Sequence, residues 1–286
     1  MKIFSTVISF IFIVVSSGCV SLPLVESRYQ HALQIAEINN LSEKIISTKS
    51  FTITSFYKMK NPEDPVTLYI EGDGLAWLNR NQLSLDPTPK NPMALELAIL
   101  DASPNVVYLA RPCQFQSRDL DVLCEDSEYW SSKRFSQEVI DSMNQAISEY
   151  QAIFHFSEIN LVGYSGGGAV AVIIASLRND VDSLRTVAGN LDHDAVNEYH
   201  GVSKLDGSLN PADVAEQISR IPQIHFSGTK DKTVPFSIAQ SYVNKIKNLS
   251  CVQVWPVDGV GHTEGWIKNW DKLSKISAEC SSSKCL

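Results

Sequence analysis

Ser165 lies in Gly163-Tyr164-Ser165-Gly166-Gly167. A serine hydroxyl is a poor nucleophile at its own pKa and needs a base beside it. Glycines two residues before and two after it suit a sharp strand-to-helix turn, where the backbone comes too close for a Cβ. Such a turn holds Oγ above a sheet and aims the N–H groups opening the next helix at an oxyanion. Six histidines could serve as base: His31, His155, His193, His200, His225 and His262. His262, in Asp258-Gly259-Val260-Gly261-His262, follows the last strand pattern, and its small neighbours let the loop fold back toward the serine. His225 falls inside a strand pattern and reads as structural. His31 and His155 lie outside the strand-end loops. An imidazole base needs a carboxylate to fix its tautomer. Asp231 follows a strand in Ser227-Gly228-Thr229-Lys230-Asp231, and Asp192, after another strand, is the alternative acid. Ser165, Asp231 and His262 together would perform acyl transfer through a covalent acyl-enzyme.

These residues need a frame that brings distant loops together. Strand patterns at Phe51 to Tyr57, Val66 to Ile70, Asn105 to Ala110, Ile159 to Val162, Leu184 to Ala188, Gln223 to Phe226 and Cys251 to Pro256 alternate with helical ones. The helical patterns cover Pro92 to Leu100, Ser132 to Tyr150, Ala169 to Leu177, Pro211 to Ile218, Phe236 to Ile246 and Thr263 to Ile276. A lead-in helix is expected from Arg28 to Ile46. This alternation predicts an α/β fold with a mostly parallel sheet and helices on both faces. Sites in such sheets lie at the carboxyl ends of the strands, where each candidate falls.

The elbow at 163 to 167, the Gly-x-x-Asp-x-x-Val-Pro of residues 228 to 235 and Gly261-His262 together resemble an α/β-hydrolase. The resemblance covers about residues 51 to 276. It implies an oxyanion hole made by the N–H after the nucleophile, Gly166, and one from the loop after an early strand. Glu71-Gly72-Asp73-Gly74 takes the place of the family's His-Gly loop, so Asp73 N–H is the first choice there and Gly74 the second. The carboxylates of Glu71 and Asp73 are expected to point away, or to bind a loop N–H or an arginine such as Arg111. An inward Asp73 would imply a substrate with a cationic or hydroxyl group. Glu-Gly-Asp-Gly at 71 to 74, Arg111-Pro112-Cys113-Gln114 and Gly189-Asn190-Leu191-Asp192-His193 also resemble a group of bacterial exported α/β-hydrolases, a likeness that names no substrate.

At the N-terminus, Lys2, an apolar run from Ile3 to Val15 and Ser16-Ser17-Gly18-Cys19 have the parts of a secretory signal. The run is too short to be a comfortable membrane span. Its end resembles the lipobox of bacterial lipoproteins, although Ser16 stands where leucine is usual. The resemblance implies a signal peptide over 1–18 and acyl chains on Cys19, which would anchor the chain to a bilayer. In the resemblance to enterobacterial lipoproteins, Val20 rather than an aspartate after the cysteine implies the outer membrane. The resemblance implies a lead-in segment over 19–50 and a hydrolase domain over 51–286, in which the stretch 190–209 could form a small lid. Of the six cysteines, Cys113 and Cys124 are the expected disulfide, which an exported protein can keep. The pairing among Cys251, Cys280 and Cys285 is open.

A hydrophobic content of 44% against 20% charged residues is enough for a buried core. Net charge -8 without a basic run excludes nucleic acid as a partner. No Cys-x-x-Cys or His-x-x-x-His spacing suggests a metal, and the chemistry needs no cofactor. The expected function is therefore a lipid-anchored, exported serine hydrolase acting on small ester or acyl substrates. Carboxylester hydrolysis stands first. Peptidase or acyltransferase chemistry on the same residues remains open, as does a non-catalytic binding lipoprotein.

Overall fold

The computed structural model describes residues 25–115 and 121–281. The expected signal peptide, Cys19 and Cys285 lie outside these residues. Among them, eight strands form one sheet in the order β1-β2-β6-β3-β7-β8-β9-β10. These are β1 (Ser42–Ser47), β2 (Thr52–Met59), β3 (Val66–Ile70), β6 (Asn105–Leu109), β7 (Ile159–Tyr164), β8 (Val181–Val187), β9 (Gln223–Gly228) and β10 (Val252–Val257). Only β2 runs against its neighbours; every pairing from β6 to β10 is parallel. A two-stranded hairpin, β4 (Trp77–Asn79) and β5 (Gln82–Leu83), stands apart from the sheet.

Both faces of the sheet are covered. Helices α3 (Gln137–Phe154), α4 (Gly166–Leu177) and α6 (Phe236–Val243) pack on one side, against Leu68, Val107, Leu161 and Leu184. Helices α1 (Val25–Ile38), α2 (Met93–Ala98) and α7 (Trp266–Leu273) pack on the other, against Phe56, Tyr69, Tyr108 and Phe226. The central strands β3 and β6 are buried along their whole length. Their unbroken apolar runs reflect a sheet sandwiched between helix layers. Helix α3 buries Val139, Met143, Ala146, Ile147 and Tyr150, a single stripe at helical spacing. It ends at His155, whose left-handed backbone (φ 58°) closes the last turn.

Several expectations are corrected. The lead-in helix stops at Ile38, because Asn40 turns with φ 60°. The chain then enters β1, an edge strand in which Ile46 alone is buried, so the sheet begins at Ser42. Pro211 to Ile218 is not a helix; a short 3-10 turn, Pro211–Asp213, forms there, followed by separate turns. The stretch from 190 to 209 contains a helix of its own, α5 (His193–His200). The expected Cys113–Cys124 disulfide is present, and Cys251, whose partner the sequence left open, pairs with Cys280.

Candidate active site

Ser165 sits at the junction of β7 and α4, with φ 50° and ψ -118°. That left-handed conformation is costly for a residue with a Cβ and persists only where the surroundings enforce it. Here they do. Ser165 N–H donates to Val187 O, and Ser165 O accepts from Gly168 N–H and Asn190 N–H, each at 2.9 Å. The flanking glycines are a packing requirement: a Cβ on Gly163 would overlap Gly167 O, and one on Gly167 would overlap Ile70 O.

The imidazole arrives from the loop after β10. His262 Nε2 is 3.0 Å from Ser165 Oγ. Its main-chain carbonyl accepts from Trp266 Nε1 at 2.8 Å and Tyr164 OH at 3.2 Å, so two aromatic side chains of the core fix the loop. The loop after β9 presses on it, with Lys230 N–H donating to Val260 O at 2.9 Å. From that loop Asp231 Oδ2 reaches His262 Nδ1 at 2.8 Å. Its other oxygen accepts from Thr233 N–H and Val234 N–H, both at 2.8 Å. The Asp231 side chain is fully buried. A carboxylate accepts only, so Nδ1 carries the proton and Nε2 is left to accept from the serine hydroxyl.

Asp192, the alternative acid, is engaged elsewhere. It caps α5 by accepting from Ala195 N–H, and it also accepts from Asn210 Nδ2 and Ser241 Oγ. His193 is buried against the Phe135 ring, 6.1 Å between centroids. Burial lowers the His193 pKa from its ordinary value. His225 bonds Thr186 Oγ1 at 2.9 Å and Gln223 Oε1 at 3.2 Å inside the core. Burial depresses its pKa to about 3, which leaves it a neutral packing group. His200 Nε2 meets Thr233 O at 2.8 Å on the rim of the cleft.

The loop after β3 carries two acids with different fates. Glu71 is buried and accepts from Gly72 N–H, Ala94 N–H and Tyr108 OH. Burial nonetheless pushes its pKa up to about 7. Asp73 turns inward, so close to Gly166 that a Cβ on that glycine would overlap its carboxylate. It is not free to receive a substrate cation, as an inward position had implied. Arg111 Nη1 lies 3.3 Å from Oδ1 and Arg134 Nε 3.3 Å from Oδ2. Both guanidinium groups rest near the Phe135 ring, 5.3 and 5.4 Å from its centroid. Arg111 also donates to Arg134 O. The N–H groups of Gly166, Asp73 and Gly74 have no partner among the described residues. Gln114 holds this loop in place by donating to Gly72 O at 2.9 Å.

Sequence reasoning missed Arg134, the hairpin β4–β5 and Asn197, all of which line the cleft over Ser165. Nothing local marks Arg134 as a partner of an acid 61 residues away. Beside the cleft, Trp130 is buried and donates to Ser84 O at 3.1 Å, while Tyr129 packs edge-on against Phe51.

No protein-family model matches the chain, and no curated protein matches it in sequence. Solved structures do. An α/β serine hydrolase homologue from Coxiella burnetii is 15% identical with a TM-score of 0.54, over 81% of this chain and 93% of the other. An esterase of Pyrococcus furiosus is 11% identical with a TM-score of 0.61, over 83% and 91%. The acylaminoacyl peptidase of Pyrococcus horikoshii is 13% identical with a TM-score of 0.55, over 78% of this chain but 37% of the peptidase. With its mostly parallel sheet, its two helix layers and these neighbours, the chain is an α/β-hydrolase in fold.

Proposed function

We propose that the chain is a serine hydrolase that cleaves carboxylic esters. One observation carries this reading. A hydroxyl, an imidazole and a buried carboxylate from three separate strand-end loops form an unbroken line, 3.0 Å and 2.8 Å between successive partners.

In the proposed reaction Ser165 Oγ attacks the acyl carbonyl as His262 Nε2 takes its proton. Asp231 holds the imidazole in the required tautomer and stabilises the imidazolium. The N–H of Gly166, at the positive end of α4, receives the developing oxyanion with that of Asp73 or Gly74. His262 then returns the proton to the leaving alcohol, and water, activated by the same imidazole, releases the acid. The Asp73 carboxylate close to this hole would oppose an oxyanion if it were alone; Arg111 and Arg134 cancel that field.

The same line of residues would serve peptidase or acyltransferase chemistry, and fold alone does not choose between them. The test is labelling by a fluorophosphonate, followed by 4-nitrophenyl ester and aminoacyl anilide panels. Labelling of the wild type, its loss in Ser165→Ala, and ester turnover exceeding anilide turnover are expected. A well-folded wild type that takes no label would instead favour a binding protein.

We also place this activity outside the cytoplasm. The Cys113–Cys124 and Cys251–Cys280 disulfides suit an oxidising compartment. No helix among the described residues is long and apolar enough to cross a membrane. An acylated Cys19 is the anchor this reading requires, and Cys19→Ala should release the protein from the membrane fraction.

A further inference from the structure

The cleft over Ser165 holds about 860 Å³ and is lined by cations in a chain of net charge -8. Arg80, Arg134 and Lys204 face it, with Asp73 as the one carboxylate among the lining residues described. That carboxylate is shared by Arg111 and Arg134. Two guanidinium groups share that one acid beside the nucleophile, so Arg134 has only half of a carboxylate to itself. Glu71 acts on Arg111 electrostatically. Its oxygens, however, are committed to two backbone N–H groups and a tyrosine hydroxyl rather than to an arginine.

Arg134 is also poorly saturated. Its Nε approaches Asp73 without the alignment of a hydrogen bond, and neither terminal nitrogen has a partner among the described residues. Two residues that line the cleft also carry unpartnered amide atoms. Asn190 Oδ1 and Asn197 Nδ2 belong to residues that are 4% exposed, and neither atom has a partner among the described residues. Buried amide atoms are nearly always hydrogen-bonded, to protein, to water or to a ligand, so these two have bonding capacity to spare beside the cleft.

We propose that the substrate carries a carboxylate on the chain attached to the scissile ester, received by Arg134 and the Asn197 amide. This rests on the serine-hydrolase reading above. A guanidinium fork matches the planar carboxylate, and its unused nitrogens are the donors that geometry needs. Asn197 Nδ2 adds a neutral donor, and Asn190 Oδ1 accepts from a neighbouring hydroxyl or N–H of the same substrate. Lys204 and Arg80 stand farther out; Arg80 is held by its bond to His200 O at 2.8 Å. Their field draws anionic esters toward the serine.

The test compares kcat/KM for two 4-nitrophenyl esters of equal chain length, the adipate monoester and the hexanoate, each corrected for spontaneous hydrolysis. The wild type should prefer the adipate ester by about tenfold or more, the worth of one charged hydrogen bond. Added salt should shrink that preference. Arg134→Gln should bring the ratio to about one, and Arg134→Lys should retain part of it. Lys204→Gln, an exposed change that spares the fold, should lower it partway. A wild-type ratio at or below one, or an unchanged ratio in Arg134→Gln, would overturn the proposal. If neither ester turns over and Ser165 takes no label, the hydrolase reading has failed separately. Calorimetry with adipate on Ser165→Ala protein then decides the subsite. Binding that disappears in Ser165→Ala/Arg134→Gln supports it, and no binding to Ser165→Ala sinks it.

Discussion

The carboxylate of Asp231 faces two ways: one oxygen meets His262 Nδ1 at 2.8 Å, and the other is held by Thr233 and Val234 N–H, also at 2.8 Å. Asp231→Asn would keep an oxygen for the backbone donors but present an NH₂ to Nδ1. The imidazole would then carry its proton on Nε2 and could not accept from Ser165. We expect kcat to fall by roughly 10³–10⁴-fold on a 4-nitrophenyl ester while the circular dichroism spectrum stays unchanged. A fall of less than about tenfold would remove Asp231 from the proposed mechanism.

Burial raises the Glu71 pKa from the ordinary 4.5 to about 7, so folding favours its protonated form. The stabilisation is full below the unfolded value and is lost as pH rises through the folded one. Between about pH 4.5 and 7 this group should cost the fold on the order of 3 kcal/mol. Urea denaturation of wild type and Glu71→Gln at pH 5 and pH 8 checks this. The wild type should lose more stability than the variant over that interval, and parallel losses would contradict it.

Gly167 and Gly201 offer opposite uses of a missing Cβ. At Gly167 a methyl would overlap the main-chain oxygen of Ile70, and neither backbone can yield. Gly167→Ala should destabilise the fold by on the order of 3 kcal/mol and abolish ester turnover. Gly201 has φ 60° and nothing within 4 Å of where a Cβ would stand. Gly201→Ala should cost only about 1 kcal/mol, the strain of the left-handed backbone. Thermal melts of the two variants separate the effects.

The Cys113–Cys124 disulfide spans 11 residues and borders the turn whose Gln114 holds Gly72. Cys113→Ser/Cys124→Ser should lower stability by about 3 kcal/mol, as expected for a loop of this size. It should also lower kcat, because the loop bearing Asp73 N–H loses part of its support. Unchanged kinetics in the double variant would show that Gln114 positions that loop without the disulfide.

Where chemistry depended on local spacing, the sequence was legible. Ser165 had to lie between glycines because the elbow tolerates no Cβ at 163 or 167, and that requirement is written within five residues. The strands β3 and β6 were equally plain, since burial on both faces demands unbroken apolar runs. Edge strand β1 was not, because only Ile46 of its six residues is buried and its adjacent isoleucines lack the alternation of a half-buried strand. The segment after Pro211 has helical periodicity, but its backbone closes one 3-10 turn followed by separate turns such as Gln217 N–H to Val214 O, not a helix.

The sequence by itself determined the fold class and which serine, histidine and aspartate stand after strands, because periodicity and glycine spacing are properties of neighbours. Only the tertiary structure decided that His262 takes Asp231 while Asp192 caps a helix. It alone turned Asp73 inward beneath two arginines and brought Asn190, Asn197 and Arg134 around one cleft. Those relations join residues far apart in the chain, and distance along a backbone carries no record of which side chains a folded sheet edge will bring within 3 Å of one another.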